Sequence, residues 1–193
     1  MGVPLGEPAL MTVSEQLLPR NDPRVPNPVA GVQFASRRFD DGQSDQAQLR
    51  LAVNFRALCS VPVMDTFILR ADGRQHLVYP SSGVVGDPRD SGAIFDQGFA
   101  FSGSPNWTSE TLRGAQACQV LDDLQMNRSF PQFADYDPFI QALEQLTAQQ
   151  ITTLVNEPPL AEWGVTPQEA CELVSWLDRR KAQLRAAFEQ HLR

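Results

Sequence analysis

The clearest hydrophobic pattern in the chain runs from Leu49 to Arg56, where apolar and polar side chains alternate. A repeat of two residues places the apolar side chains on one face of a strand and Arg50 and Arg56 on the other. A helix is the alternative, because Leu49, Val53 and Arg56 also fall near one helical face. Val53 and Phe55 favour the strand, since β-branched and aromatic side chains suit a pleated surface.

Two further apolar runs, Thr66–Arg70 and Gln75–Tyr79, flank Asp72-Gly73. Asp-Gly between apolar runs predicts a hairpin, because a type I′ turn requires positive φ at both central residues. Pro62 has no N–H to donate, which predicts that it lies at a strand start or at a bulge. Residues 49–80 are therefore interpreted as three successive strands.

Caps and apolar stripes at helical spacing predict a mainly helical chain after residue 107. Thr166-Pro167-Gln168-Glu169 combines an N-cap threonine, a proline at the first helical position and a capping-box glutamate. We expect the helix that it opens to reach His191. The other predicted helices begin at Thr108 or Ser109 and run to Asn127, at Asp137-Pro138, and at Thr147 with its capping partner Gln150.

Together these elements predict an α+β fold, in which a small antiparallel sheet with its hairpin at Asp72-Gly73 is covered by three to four C-terminal α-helices. Residues 29–39 are interpreted as a first strand and residues 93–101 as a candidate extension of the sheet. Six of the 15 prolines fall in residues 1–29, which predicts an extended arm. The remainder, 30–193, is expected to form one domain, mainly strand and loop over 30–107 and mainly helix over 108–193.

The formal net charge of −7 and the pI of about 4.8 bear on the class of partner. Binding to nucleic acid or to an anionic membrane is not expected, because both need cations that neutralise phosphate. No apolar run reaches the roughly 18 residues of a membrane-spanning helix. The three cysteines are far apart and predict neither a disulfide framework nor a zinc site, which suits a reducing cytoplasm. Cys118 and Cys171 are predicted to be small buried residues.

Arginines provide the predicted binding surface. Arg50 and Arg56 lie on the polar face of the predicted strand, and Arg70 and Arg74 lie at the hairpin tip. Their planar donors suit an acidic protein partner, a second subunit or a nucleic acid. Nucleic-acid surfaces usually add aromatic side chains that stack on bases, whereas Phe55 is predicted to point inward.

A second basic group comprises Arg179, Arg180, Lys181 and Arg185, in the second half of the last predicted helix. Cations are favoured there by the helix dipole, which is the structural interpretation. The alternative is a patch that binds a partner.

Candidate catalytic chemistry is confined to His76, in the strand after the predicted turn. A Ser/His/Asp set can be assembled around it, but the spacing is not specific. The acids of the following loop are interpreted as solvated turn residues rather than ligands of a hard cation. The Ser/His/Asp set would use Asp72 with Ser81 or Ser82, and the loop acids are Asp87, Asp90 and Asp96.

The favoured functional hypothesis is a non-catalytic cytoplasmic protein that binds or assembles a protein partner through its arm and arginine-bearing sheet face. Homo-oligomerisation is a further option, and no cofactor and no metal are predicted. Two alternatives stay open: a small hydrolase-like enzyme with a site under the 81–107 loop, and a module that binds RNA or single strands.

Met11 begins the run Met11-Thr12-Val13-Ser14-Glu15, which is typical of a translation start. The hypothesis is that residues 1–10 are a misassigned extension and that the native chain begins at Met11. Intact-mass measurement of the native protein checks this, since a chain that retains residues 1–10 contradicts it.

Overall fold

A computed structural model of the protein describes residues 8–14, 16, 31–36, 52, 54–70, 75–79, 91–95, 101, 107–115, 117–120, 130–158 and 160–193. These residues contain six α-helices and two 3₁₀ helices, the latter at Phe55–Cys59 and Leu160–Trp163. The α-helices are α1 (Ser60–Ile68), α2 (Ser109–Gly114), α3 (Phe133–Glu144), α4 (Ala148–Asn156), α5 (Pro167–Lys181) and α6 (Leu184–His191).

The predicted α+β fold is wrong, because the domain core is helical. Buried side chains from all six helices form one cluster, which includes Leu112, Ile140, Ile151, Trp176 and Phe188. In the described residues the strands form only two separate antiparallel ribbons, which pair β1 (Pro8–Val13) with β2 (Gly31–Ser36) and β3 (Gln75–Tyr79) with β4 (Ser91–Phe95). Neither ribbon is the predicted sheet of three or more strands.

The strand prediction failed over the described residues 54–70, because the apolar residues there also fit a helical repeat, while residues 49–51 and 53 lie outside the described part of the chain. Residues 55–59 form a 3₁₀ helix that leads directly into α1. Cys59, Val63 and Phe67 recur every four residues, and all three are buried. Pro62 lies in the first turn of α1, where a missing N–H costs no intrahelical hydrogen bond.

The predicted hairpin partners are likewise not paired. Residues 66–68 belong to α1, so Gln75–Tyr79 pairs with Ser91–Phe95 instead. The turn residues Asp72-Gly73 lie outside the described residues. Ribbon β3–β4 therefore includes three of the residues, 93–95, that were interpreted as an extension of the sheet.

Three predicted helix starts are confirmed by their cap hydrogen bonds. The hydroxyl groups of Thr108, Thr147 and Thr166 each accept a hydrogen bond from the backbone N–H three residues later, at 3.2 Å. In every case the side chain at that third position accepts a hydrogen bond from the N-cap backbone N–H. Such reciprocal bonds satisfy donors that a helix start otherwise leaves unpaired.

Helix ends agreed less well with prediction. Helix α2 ends at Gly114, and residues 117–120 are irregular, although a helix to Asn127 was predicted. Helix α3 begins at Phe133, four residues before the predicted start at Asp137, and it accommodates Pro138 internally. The last predicted helix is divided at residues 182 and 183 into α5 and α6.

A single guanidinium joins the ends of α1 and α2. Arg180, on α5, is 1% exposed. Its Nε donates to the Phe67 carbonyl at 2.8 Å, and its Nη2 donates to the Thr66 carbonyl. Its Nη1 donates to the carbonyls of Ala117, at 2.9 Å, and Ala115, at 3.4 Å. One cation thus donates both to the last turn of α1 and to the segment that follows α2.

The neighbouring groups complete the C-terminal end of α1. Leu69 adopts the left-handed conformation, with φ of 49°, and ends the helix without a glycine. The backbone N–H of Phe101 donates to the Ile68 carbonyl at 2.7 Å. Burial lowers the pKa of Arg180, but arginine titrates so high that it stays charged.

Helix α6 is held against α3 by both polar and aromatic contacts. Arg185 donates to Asp137 at 2.7 Å and to Glu144 at 2.8 Å. The rings of Tyr136 and Phe188 lie 5.0 Å apart, and the Tyr136 hydroxyl donates to the Phe130 carbonyl at 2.8 Å. Within the described residues, no helix has the length and apolar character needed to cross a membrane.

We expect Arg180→Met to destabilise the protein by about 1–3 kcal/mol, because the buried Phe67 carbonyl loses its donor and an unsatisfied buried acceptor costs about that much. Urea unfolding monitored by circular dichroism measures the change. Arg179→Met, an exposed neighbour on the same helix, is the matched control and is expected to stay within about 0.5 kcal/mol. Equal effects of the two substitutions would show that the buried guanidinium does not hold the helices together.

Candidate binding cleft

A cleft of about 380 Å³ lies between α2 and α5. Helix α2 contributes Ser109, Leu112 and Arg113, and α5 contributes residues 168, 171, 172, 175, 176 and 179. The α5 positions recur at intervals of three and four, so they form one continuous face of that helix. One face of α5 therefore forms one wall of the cleft, and the short helix α2 forms the other.

The floor of the cleft is apolar and fixed. Leu112 and Trp176 line it, and both side chains are almost fully buried. The indole Nε1 of Trp176 donates to the Ala115 carbonyl at 3.1 Å, and the Arg180 guanidinium lies 4.6 Å from the Trp176 ring centroid. The residue that joins the helix ends therefore also holds the floor of the cleft in place.

Two exposed arginines, Arg113 and Arg179, line the cleft from opposite walls. The Nε of Arg113 donates to the Ser109 carbonyl at 3.1 Å, which places this guanidinium along its own helix. Arg179 lies at the C-terminal end of the α5 face. The described lining thus carries two cations against one carboxylate, that of Glu172.

The Glu172 carboxylate is already held by neighbours in the cleft wall. Gln168 donates to it at 3.2 Å, and the Ser109 hydroxyl donates from the facing helix. Hydrogen bonds from Ser109 and Gln168, together with the charge of Arg113, hold the pKa of the Glu172 carboxyl below its ordinary value. Glu172 is therefore ionised at neutral pH and links α5 to α2.

A second groove, of about 410 Å³, lies between the end of α4 and the start of α5. Its lining includes Pro158, Leu160, Val165 and Pro167, and none of the described residues that line it is charged. It offers apolar surface without a charged group to orient a ligand. The α2–α5 cleft, which has both, is the better candidate binding site.

The arginines predicted as a binding surface are not displayed together on a sheet. Arg56 is exposed but lies in the 3₁₀ helix at Phe55–Cys59. Arg70 is 1% exposed, and its Nη1 lies 3.7 Å from an Asp65 carboxylate oxygen. Arg50 and Arg74 lie outside the described residues. The sheet face that was expected to gather the four is not formed.

The candidate catalytic histidine, His76, lies in β3 with its Cα opposite that of Ile94. Its proposed partners and the acids of the loop lie outside the described residues, so an enzymatic site there stays a prediction. Among the described residues, no three His, Cys, Asp or Glu side chains gather as metal ligands would. These proposed partners and loop acids are Asp72, Ser81, Ser82, Asp87, Asp90 and Asp96.

The predicted basic group of the C-terminal helix is divided among four environments. Arg180 is buried, and Arg185 binds the two carboxylates of α3. Lys181 donates to the Leu146 carbonyl and pairs with Asp178 at 2.7 Å. Only Arg179 of this group lines the cleft. Neither Arg113 nor Trp176 was among the predicted site residues, although the spacing of polar residues along α5 marks the second face of that helix.

No protein-family model, curated protein or solved structure with which the chain was compared matches it. The cleft is therefore interpreted from its own geometry and chemistry.

The prediction that Cys171 is buried is wrong, since its side chain is exposed in the cleft, while Cys118 is partly buried. Cys59 is buried, and this burial, with a smaller contribution from the charge of Asp135, raises the pKa of its thiol to about 12. We expect a maleimide to label Cys171 in the folded protein and to spare Cys59, because the thiolate is the reactive form. Peptide mapping by mass spectrometry measures the labelling.

Protein unfolded in urea is the control for this labelling, and there all three cysteines are expected to react. Labelling of Cys59 at the rate of Cys171 in the folded protein would contradict the packing of the 3₁₀ helix against the core.

Proposed function

We propose that this protein is a non-catalytic, cytoplasmic binding or assembly protein that holds a protein partner in the α2–α5 cleft. The observation that supports this most directly is the placement of exposed arginines, Arg113 and Arg179, on facing walls of a cleft whose floor is buried and fixed. Arginine is enriched among the residues that dominate binding energy in protein interfaces.

The rigidity of the cleft is the second support. Trp176 and Arg180 tie the C-terminal end of α2 to α5, and Ser109 binds Glu172 across the cleft. A partner that docks there does not have to order the two walls. Preorganisation of this kind favours affinity, because less conformational entropy is lost on binding.

The proline-rich residues 1–29 extend this proposal as a second contact for the partner or for another copy of the chain. Within this segment β1 pairs with β2, which anchors residues 8–13 to residues 31–36. In this proposal residues 30–193 act as the folded domain that carries the cleft.

The test blocks the cleft without touching its floor. Ser175 is exposed and lines the cleft, so Ser175→Trp fills the space that a partner would occupy. From native extract, the unmodified chain is expected to retain a specific protein partner, and Ser175→Trp to reduce its recovery at least about tenfold, the ratio that 1.4 kcal/mol produces. Quantitative mass spectrometry of the captured proteins measures the recovery.

Ala186→Trp is the matched control, because Ala186 is an exposed residue of α6 that does not line the cleft. Arg56→Ala tests the surface predicted from the sequence. Recovery that falls with Arg56→Ala and not with Ser175→Trp would move the binding surface to the 3₁₀ helix. The proposal fails altogether if no partner is retained and light scattering finds no self-association.

A further inference from the structure

We infer that the occupant of the α2–α5 cleft is an acidic peptide segment of a partner protein, in which a carboxylate side chain lies close to a large apolar side chain. This inference rests on the proposed function and names the class of partner. It follows from the charges that the cleft presents and from the surface that lies beside them.

The first reason to expect an acidic ligand is the exposed guanidinium of Arg179. The other cations of its group are engaged: Arg180 with backbone carbonyls, Lys181 with Asp178, and Arg185 with two carboxylates. In the part of the chain that the structure describes, no carboxylate lies within 4.0 Å of the Arg179 guanidinium. An exposed guanidinium that lines a cleft provides a charge-assisted site for an anion.

The second reason to expect an acidic ligand is the balance of charge within the cleft. The Glu172 carboxylate accepts hydrogen bonds from Ser109 and Gln168, and the charge of Arg113 lies close enough to favour its ionised form. The described lining carries one more cation than carboxylates, and the charge of Arg179 is available to a ligand. The cleft presents a local positive charge on a chain of net charge −7.

The apolar part of the cleft lining determines what must accompany the anion. Leu112 and Trp176 are almost fully buried. The accessible apolar surface therefore comes from the exposed Cys171 side chain and the aliphatic stems of Arg113 and Arg179. Apolar contact with this lining excludes water from the neighbouring ion pair and strengthens it, because the local dielectric falls. The volume of about 380 Å³ is that of a pocket for a few side chains rather than a docking face for a folded domain. A short amphipathic acidic segment meets all three requirements.

The net charge of the chain favours a peptide over a nucleic acid as the occupant of the cleft. A phosphate polymer gains affinity by releasing counterions from many phosphates, which requires many cations on one surface. This chain offers two in the cleft and carries a net charge of −7, which repels a long polyanion at a distance. A peptide with one or two carboxylates needs only the local charge, so the acidic peptide is the occupant to which the cleft is suited.

Fluorescence anisotropy with synthetic peptides tests the inference. The probe is a set of short labelled peptides in which Asp is placed at each of the four positions after a Phe or a Leu. We expect at least one to bind, and its partner with Asn in place of Asp to bind about fivefold more weakly, as does the partner with Ala in place of the apolar residue. Binding should also weaken as salt rises, since the pair is partly exposed.

Substitutions in the protein locate the contact. Arg179→Ala is expected to weaken binding of the Asp peptide about fivefold and to leave binding of the Asn peptide unchanged, while Arg179→Lys has a smaller effect. Arg193→Ala removes an exposed arginine outside the cleft and is expected to change neither. A drop confined to the Asp peptide identifies the carboxylate as the partner of Arg179.

The inference is overturned if no Asp peptide binds more tightly than its Asn counterpart, if Arg179→Ala has no effect, or if a single-stranded DNA oligonucleotide binds more tightly than every peptide. These outcomes are separable from failure of the proposed function. A partner that is lost with Ser175→Trp while the Asp peptides fail leaves a protein-binding cleft of another specificity. Failure of both measurements removes the cleft as a binding site.

Discussion

The structure depends on one buried cation. Arg180 reaches from α5 to the last turn of α1 and to the segment that follows α2, and its donors bind backbone carbonyls of both. A buried guanidinium is costly unless its donors are used, and here the backbone uses them. The position of three helices is thereby set by hydrogen bonds rather than by apolar contact alone, which could tolerate sliding.

The same arrangement produces the cleft. Helix α2 has only six residues and one buried side chain, Leu112, so it has little apolar surface with which to hold its place. The indole of Trp176 and the guanidinium of Arg180 hold its C-terminal end, and the capping box at Thr108 organises its start. The wall that results stands apart from the exposed face of α5, and the gap between them is the candidate binding site.

Basic residues that are adjacent in sequence have separate roles in this fold. Successive positions on a helix differ in direction by about 100°, so Arg179 faces the cleft and Arg180 faces the core. Arg185, beyond the break at residues 182 and 183, binds α3. A stretch that looks like one positive patch in the sequence therefore contributes one surface charge to the cleft, one buried connector and one ion pair between helices.

Sequence alone determined the features whose causes are local. The N-caps at Thr147 and Thr166, and the cap placed at Thr108 or Ser109, follow from side chains that bond to the backbone three residues away. Leu173 and Leu177 on α5, and Leu184 and Phe188 on α6, were also correctly predicted to face inward, because a spacing of four places each pair on one face of its helix. The cleft wall formed by α5 can likewise be seen in the sequence as a helical spacing of residues. That spacing does not by itself identify a binding site.

Tertiary structure decided what is ambiguous locally. The apolar residues of 55–67 fit both a strand and a helix, and packing of Val63 and Phe67 into the common core selected the helix. Strand Gln75–Tyr79 then paired with Ser91–Phe95, because its expected partner had become α1. Tertiary packing likewise decided that Arg180 is buried and that Cys171 is exposed. Whether a polar group is buried depends on partners distant in sequence, here carbonyls 63 to 114 residues away, which no local pattern specifies.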